Sequence, residues 1–232
     1  MPDAIFADPR LAALYDLFDG ERADLVPYLE IAAELEARTV LDVGCGTGCF
    51  GTLLADAGLT VVGVDPALAS LELARAKDSR VTWLHGDATT LPPLQVDLAT
   101  MTANVAQVFL GDDWDSTLRG IHAALKPGAH LVFESRRPEA RVWEGWRVPV
   151  QREKNGVRHR RDLLSVDLPF VSFRHTYRFP DGQEIASDST LRFRSREEIE
   201  ESLTAAGFET TDVRDAPDRP GLEHVFVARR LS

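Results

Sequence analysis

Gly44-Cys45-Gly46-Thr47-Gly48 sets three glycines at alternate positions between a run that reads as a strand, Thr39 to Val43, and one that reads as a helix from Phe50 onward. Glycine tolerates positive φ and lets a ligand approach the main chain, and a helix N-terminus supplies unpaired N–H groups. The stretch can therefore cradle a nucleotide-like ligand, although a tight strand-to-helix turn would look the same in isolation. Three carboxylates narrow the choice. Asp65 ends the next apolar run, 17 residues after Gly48, where an acid can accept both hydroxyls of an adenosine ribose. Asp87, in Gly86-Asp87-Ala88, lies 22 residues further on and suits the exocyclic amino group of an adenine. Asp42 precedes the first glycine, and a carboxylate there suits a ligand with an ammonium end, such as a sulfonium amino acid, better than a pyrophosphate.

These residues need a scaffold that brings the ends of several strands together. Thr39 to Val43, Thr60 to Val64, Val81 to His85, Val96 to Thr100 and His130 to Glu134 are nearly continuous apolar runs, as expected of strands covered on both faces. Helical patterns alternate with them, which is how a parallel sheet with crossover helices is written in sequence. Phe50, Leu53, Leu54 and Ala57 keep a helical period that stops at Gly58, and Pro66 opens the next helix through Leu68, Leu71 and Ala74. Trp114, Leu118, Ile121 and Leu125 form a third apolar stripe, ended by Lys126-Pro127-Gly128. Upstream, 9–18 and 21–37 read as acidic helices that could cover the sheet edge or a ligand mouth. Downstream, residues 136–194 alternate in the manner of antiparallel hairpins, with Pro180-Asp181-Gly182 as a turn. Ser195 with Glu198 has the form of a capping box opening a helix closed by Gly207, before two last strands, 208–213 and 222–228.

Composition excludes several classes of protein. The 232 residues are 44% hydrophobic and 27% charged, which suits a folded α/β domain rather than disorder. No apolar run approaches the roughly 20 residues that span a bilayer, and the N-terminus lacks the pattern of a signal peptide, so a cytoplasmic protein is expected. Cys45 and Cys49 have no second pair with which to form a zinc site, and no metal is expected. The net charge of −11 argues against general nucleic-acid binding. One segment departs from that average: residues 136–161 hold nine Arg or Lys against three Glu.

The ordered set Leu41-Asp42-Val43-Gly44-Cys45-Gly46-Thr47-Gly48, Val64-Asp65, Gly86-Asp87-Ala88 and Leu125-Lys126-Pro127-Gly128 resembles the class I S-adenosylmethionine-dependent methyltransferases, in particular their small-molecule group. The likeness covers residues 39–134, with a further echo from Leu191 to Phe208. It implies a Rossmann-like, doubly wound α/β fold whose seven-stranded, mostly parallel sheet runs in the order 3-2-1-4-5-7-6. Residues 38–135 and 191–232 would form the cofactor domain, 1–37 helices over its mouth, and 136–190 an antiparallel β lid inserted after strand five. The implied cofactor is S-adenosylmethionine, with Gly44, Gly46 and Gly48 on its methionine part, Asp65 on the ribose, and Asp87 and Ala88 on the adenine. Thr102, Asn104 and Gln107 fall where the family faces the methyl group, and Cys45, Pro66 and Asp42 complete the candidate cofactor set. The Asp/Asn-Pro-Pro-aromatic signature of the adenine and glutamine N-methylating branches is replaced by Asn104-Val105-Ala106-Gln107, which argues against those branches.

A sulfonium is an activated donor, so positioning and water exclusion can suffice and a general base is optional. If a base is used, His175, Tyr177 and Asn104 are candidates, with His159 and Asp188 also available, although each has an ordinary structural reading. Arg136, Arg137, Trp143 and Trp146 are expected to line an acceptor pocket, since arginine forks bind carboxylate or phosphate and tryptophan can wall an acceptor. The competing reading is a solvated hairpin whose arginines pair with the acidic remainder of the chain. The expected partner is a small molecule, for which an anionic group suits these arginines, acting with a monomer or homodimer and without nucleic acid or membrane. The alternatives are a non-catalytic S-adenosylmethionine-binding module, an RNA methyltransferase and an NAD-dependent oxidoreductase.

Overall fold

The computed structural model describes residues 1–20 and 22–232. Strands β1 (Thr39–Val43), β2 (Thr60–Asp65), β3 (Thr82–His85), β4 (Val96–Met101), β5 (Leu125–Arg136), β10 (Phe208–Asp215) and β11 (Glu223–Arg230) form one sheet in the order β10-β11-β5-β4-β1-β2-β3. That is the expected 3-2-1-4-5-7-6 arrangement. The pairs among β1 to β5 are parallel, whereas β11 runs antiparallel to both β5 and β10. A second sheet, β6 (Val150–Lys154), β7 (Val157–Asp167), β8 (Phe170–Arg178) and β9 (Glu184–Arg192), is an antiparallel meander.

Helices cover both faces of the main sheet. On one side, α3 (Val26–Glu34), α4 (Cys49–Asp56) and α5 (Leu68–Lys77) bury Tyr28, Ile31, Phe50, Leu54 and Leu71 against Val40, Leu98 and Val132. On the other, α6 (Asp113–Ala124) and α7 (Arg196–Ala205) bury Trp114, Leu118, Ile121 and Leu203 against Leu41, Leu131 and Phe226. Two-sided cover is the physical reason the strands read as unbroken apolar runs. The N-terminal helices α1 (Ala4–Ala7) and α2 (Pro9–Asp19) bridge to the second sheet, where Ile5, Leu11 and Phe18 pack with Val157, Tyr177 and Phe179. The Asp8 side chain caps α2 by accepting from the N–H groups of Arg10 and Leu11, with Pro9 in the first turn.

Some local readings change. The helix expected over 21–37 is α3, only Val26–Glu34, preceded by a 3-10 turn at Ala23–Leu25 because Pro27 suits a first helical turn; Glu21 lies outside the described residues. Lys126-Pro127-Gly128 is not a separate loop, since α6 stops at Ala124 and β5 begins at Leu125. Ser195 accepts from the Glu198 N–H, but the Glu198 carboxylate turns to Arg192 at 2.6 Å instead of completing the box. No described helix is long and apolar enough to cross a membrane.

Candidate active site

The glycine loop joins β1 to α4 with positive φ at Gly44, Gly46 and Gly48. The three glycines serve different ends. A Cβ on Gly44 would lie 2.7 Å from Val105 Cγ2, and one on Gly48 would lie 2.7 Å from the Trp83 ring. Those two positions are filled by packing. A Cβ on Gly46 would meet nothing within 4 Å, so this is where a ligand can approach the backbone. Trp83 shapes the loop from behind: its ring occupies a slot left by Gly48, Gly51 and Gly63, and its indole N–H donates to the Asp78 carbonyl at 2.8 Å. Gly51 therefore has a packing role that periodicity alone did not suggest.

Asp65 stands at the end of β2 and is almost fully buried. One carboxylate oxygen accepts from the Gly46 N–H at 2.9 Å and the other from the Ala67 N–H at 2.7 Å. The residue expected at a ribose thus also anchors the glycine loop, a role that only the fold reveals. Burial raises its pKa, and the two backbone N–H groups oppose that rise. Pro66 is exposed beside it, Cys45 is buried in the core, and Ala88 is buried below the loop after β3. Asp87 is exposed, and one of its oxygens accepts from the backbone and hydroxyl of Thr89.

Asp42 lies beneath the loop at 1% exposure and accepts from the Thr100 hydroxyl at 3.0 Å. Burial pushes its pKa up to about 7, partly offset by that hydrogen bond and reinforced by the negative charge of Asp65. A carboxyl with a raised folded pKa binds more protons folded than unfolded, so its contribution to stability declines as pH rises from about 4 to about 7. Asp42→Asn removes this titration. Denaturant unfolding of the free protein should show the variant gaining stability relative to wild type across that interval, and a pH-independent difference would contradict it.

Beyond β4 the chain makes two consecutive left-handed residues, Ala103 and Asn104. They place Asn104 at the rim of a cavity of about 170 Å³, floored by Glu134 and Arg136 of β5 and Glu223 of β11. Tyr15, Arg22, Asp24 and Tyr28 close it from the N-terminal side, and Asp218 with Arg219 from the β10–β11 loop. The Asn104 N–H donates to one Glu134 oxygen at 2.6 Å and its side-chain amide donates to Glu223 at 3.1 Å. Gln107, fully buried, accepts from Arg136 at 2.9 Å. Thr102 is buried next to this turn. A buried arginine, Arg194, holds the same segment by donating to the carbonyls of Ala106 and Phe109 at 3.2 and 2.7 Å.

The four residues expected around an acceptor separate. Arg136 lines the cavity, and its guanidinium lies 5.7 Å from the Trp146 ring centre. Trp146 is half-buried and also carries the Arg161 guanidinium at 5.3 Å. Trp143 is buried at 1% exposure among Val171, Leu191 and Phe193, a core position, and Arg137 pairs with Asp215 at 2.8 Å outside the cavity. His175 and Tyr177 do not line the cavity either: Tyr177 packs on Phe18 and stacks on His159, and His159 and His175 share a 2.6 Å hydrogen bond. Burial lowers the pKa of His159 to about 4 and of His175 to about 3, so both are neutral at pH 7. Asp188 is tied to Arg174 on the second sheet.

Glu134, Glu223, Tyr28, Tyr15, Arg22 and Arg219 were not singled out from the sequence. Glu134 carried a usable signal, a carboxylate at the end of an otherwise apolar strand, which is the pattern that marked Asp65.

Residues 40–128 match the family described as a methyltransferase domain. The chain is 35% identical over 147 residues to the cypemycin N-terminal methyltransferase of Streptomyces sp., a match covering 60% of this chain and 59% of that protein. Matches thus span less than two thirds of the length of such curated relatives. Among solved structures, an S-adenosylmethionine-dependent methyltransferase of Clostridium acetobutylicum superposes with a TM-score of 0.81 at 17% identity, covering 96% of this chain and 98% of that one. An amino pentose methyltransferase of Micromonospora echinaspora, solved with S-adenosylmethionine bound, gives a TM-score of 0.73 at 24% identity, covering 94% and 95%. Residues 40–128 thus match a methyltransferase domain, and in strand order and whole-chain fold the protein is similar to S-adenosylmethionine-dependent methyltransferases.

Proposed function

We propose that the protein transfers a methyl group from S-adenosylmethionine to a small-molecule acceptor. The observation that carries this reading is the open backbone at Gly46, pinned by Asp65 at the end of β2, next to a polar cavity beyond β4. The residues fit the cofactor. Gly46 leaves room for it, Asp65 would take the ribose hydroxyls, Asp87 and Ala88 the adenine, and Asn104 would face the methyl. The bound cofactor supplies an activated methyl on a sulfonium. The protein then has to orient the acceptor, exclude water and manage any proton released.

For the acceptor, the support points to Arg136, Trp146 and Arg161 rather than to the full set expected from sequence. Arg161 is half-buried, its Nε has no hydrogen-bond partner, and it makes no ion pair among the described residues. A guanidinium held against a tryptophan with donors to spare suits a carboxylate or phosphate on the acceptor.

Calorimetry against S-adenosylmethionine, S-adenosylhomocysteine and NAD tests the cofactor, with binding expected for the first two and none for NAD. Incubation with methyl-labelled cofactor and a metabolite extract from the source organism should then give a product one methyl heavier. Cofactor binding without any labelled product would favour a non-catalytic binding module. With that acceptor in hand, Arg161→Met should raise its KM about tenfold, the worth of one charged hydrogen bond, and leave cofactor affinity alone. An unchanged KM in both Arg161→Met and Trp146→Ala would remove this face from the acceptor site.

A further inference from the structure

We propose that the acceptor nucleophile is an amine that arrives as an ammonium, and that Glu134 Oε2 takes its proton while Asn104 Oδ1 holds a second N–H. This rests on the methyl-transfer reading above. Both oxygens are buried and lack a hydrogen-bond partner. Buried acceptors left without donors are uncommon and costly, so two of them on residues lining one cavity call for a ligand that brings at least two donors. An ammonium has them. A hydroxyl or thiol brings one, and a carbon nucleophile brings none of useful strength.

Charge pairing in the cavity agrees. Asp24 is bound by Arg22 at 2.9 Å, Asp218 by Arg219 at 3.2 Å, and Glu223 by Arg219 at 2.8 Å and Arg136 at 3.5 Å. Glu134 alone among the cavity's carboxylates has no arginine on it among the described residues. Its other oxygen is held by the Asn104 N–H, which fixes the carboxyl, and the Tyr28 hydroxyl approaches the same carboxylate. The groups facing it are Tyr28 from α3, Asn104 from the β4 loop, Glu223 from β11, Arg136 on its own strand and, at longer range, Asp42 from β1. Burial together with the negative charge of Glu223 pushes the Glu134 pKa up to about 7, and the Asn104 N–H and Tyr28 restrain it. A carboxylate poised there can relieve an ammonium of its proton near neutrality, where an ordinary glutamate is too weak a base.

The step balances. The ammonium N–H bond breaks and its proton moves to Glu134 Oε2, leaving the nitrogen lone pair free. That pair forms the N–C bond to the methyl carbon as the carbon–sulfur bond breaks, its electrons leaving with sulfur as a neutral thioether. The proton then passes from Glu134 to solvent.

Two measurements test this. In the complex with S-adenosylhomocysteine, carbon-13 NMR of glutamate carboxyls, assigned through Glu134→Gln, follows the Glu134 midpoint during titration with methylammonium, with methanol as the neutral control. Methylammonium should lower that midpoint saturably by a unit or more, and methanol should not. A midpoint unmoved by methylammonium overturns the assignment, as does one already lowered by S-adenosylhomocysteine, because the ammonium captured there would be the cofactor's own. In turnover, the labelled product from the extract should be an N-methyl amine. Glu134→Gln should then cut kcat roughly a hundredfold and abolish the pH limb near neutrality, with cofactor Kd within about threefold of wild type. An O-, S- or C-methyl product, or a Glu134→Gln enzyme with full activity, overturns it. Absence of cofactor binding to the wild type would instead take down the methyl-transfer reading itself.

Discussion

Asp65→Ala should weaken S-adenosylmethionine binding between a hundredfold and a thousandfold, equivalent to about 3–4 kcal/mol. Two losses combine. The proposed ribose contacts disappear, and the N–H groups of Gly46 and Ala67, now held at 2.9 and 2.7 Å, lose their acceptor. The loop is then no longer pinned where Gly46 is open to the ligand, so part of the binding free energy goes into ordering it again. Asp65→Asn keeps one acceptor oxygen and should lose about tenfold. Calorimetric titration of the three proteins decides it, and an Asp65→Ala Kd within threefold of wild type would show that this carboxylate is neither ribose ligand nor loop anchor.

Gly120→Ala should destabilise the protein by about 2–3 kcal/mol, although alanine is the better helix former by about 1 kcal/mol. Gly120 lies in α6, and a Cβ there would sit 2.0 Å from the Ala88 carbonyl oxygen and 2.7 Å from its carbon. The obstruction is backbone rather than the end of a flexible side chain, so either α6 lifts from Leu131 and Phe226 or residues 87–89 move outward. Steric overlap therefore outweighs propensity. Thermal unfolding should fall by roughly 5–10 °C for a domain of this size, with a several-fold loss of cofactor affinity because Asp87 and Ala88 shift. A variant that melts higher than wild type would mean that α6 does not press on the loop at residues 87–89.

The two substitutions separate two ways of building a site. Asp65 could be picked out in the sequence because an acid at the end of an apolar strand, a fixed distance past a glycine loop, has few structural uses. Gly120 could not, since nothing local distinguishes a helix glycine beneath a carbonyl from one left by chance. The same contrast holds among the acceptor candidates. Arg136, Trp143 and Trp146 all sit in a basic, aromatic stretch, yet the chain turns so that Trp143 enters a core with Phe193 while Trp146 stays between two guanidiniums. Alternation along a strand tells that neighbouring side chains part, but not which face meets the cavity when a 3-10 segment intervenes at Val142–Arg147.

What the sequence by itself determined was the frame: the parallel strands, their crossover helices, the glycine loop and the acids at strand ends. These are encoded locally, by apolar periodicity and by glycine where φ must be positive, so they survive being read one segment at a time. What only the tertiary structure decided was which polar groups end up sharing one cavity. Asn104, Glu134 and Glu223 come from three separate parts of the chain and meet because β11 inserts beside β5 in antiparallel register, setting Glu223 opposite Arg136. Tyr28 joins them from α3, packed over the same face. The unpaired acceptors that argue for an amine exist only in that assembly, because whether a buried oxygen lacks a partner depends on every element around it.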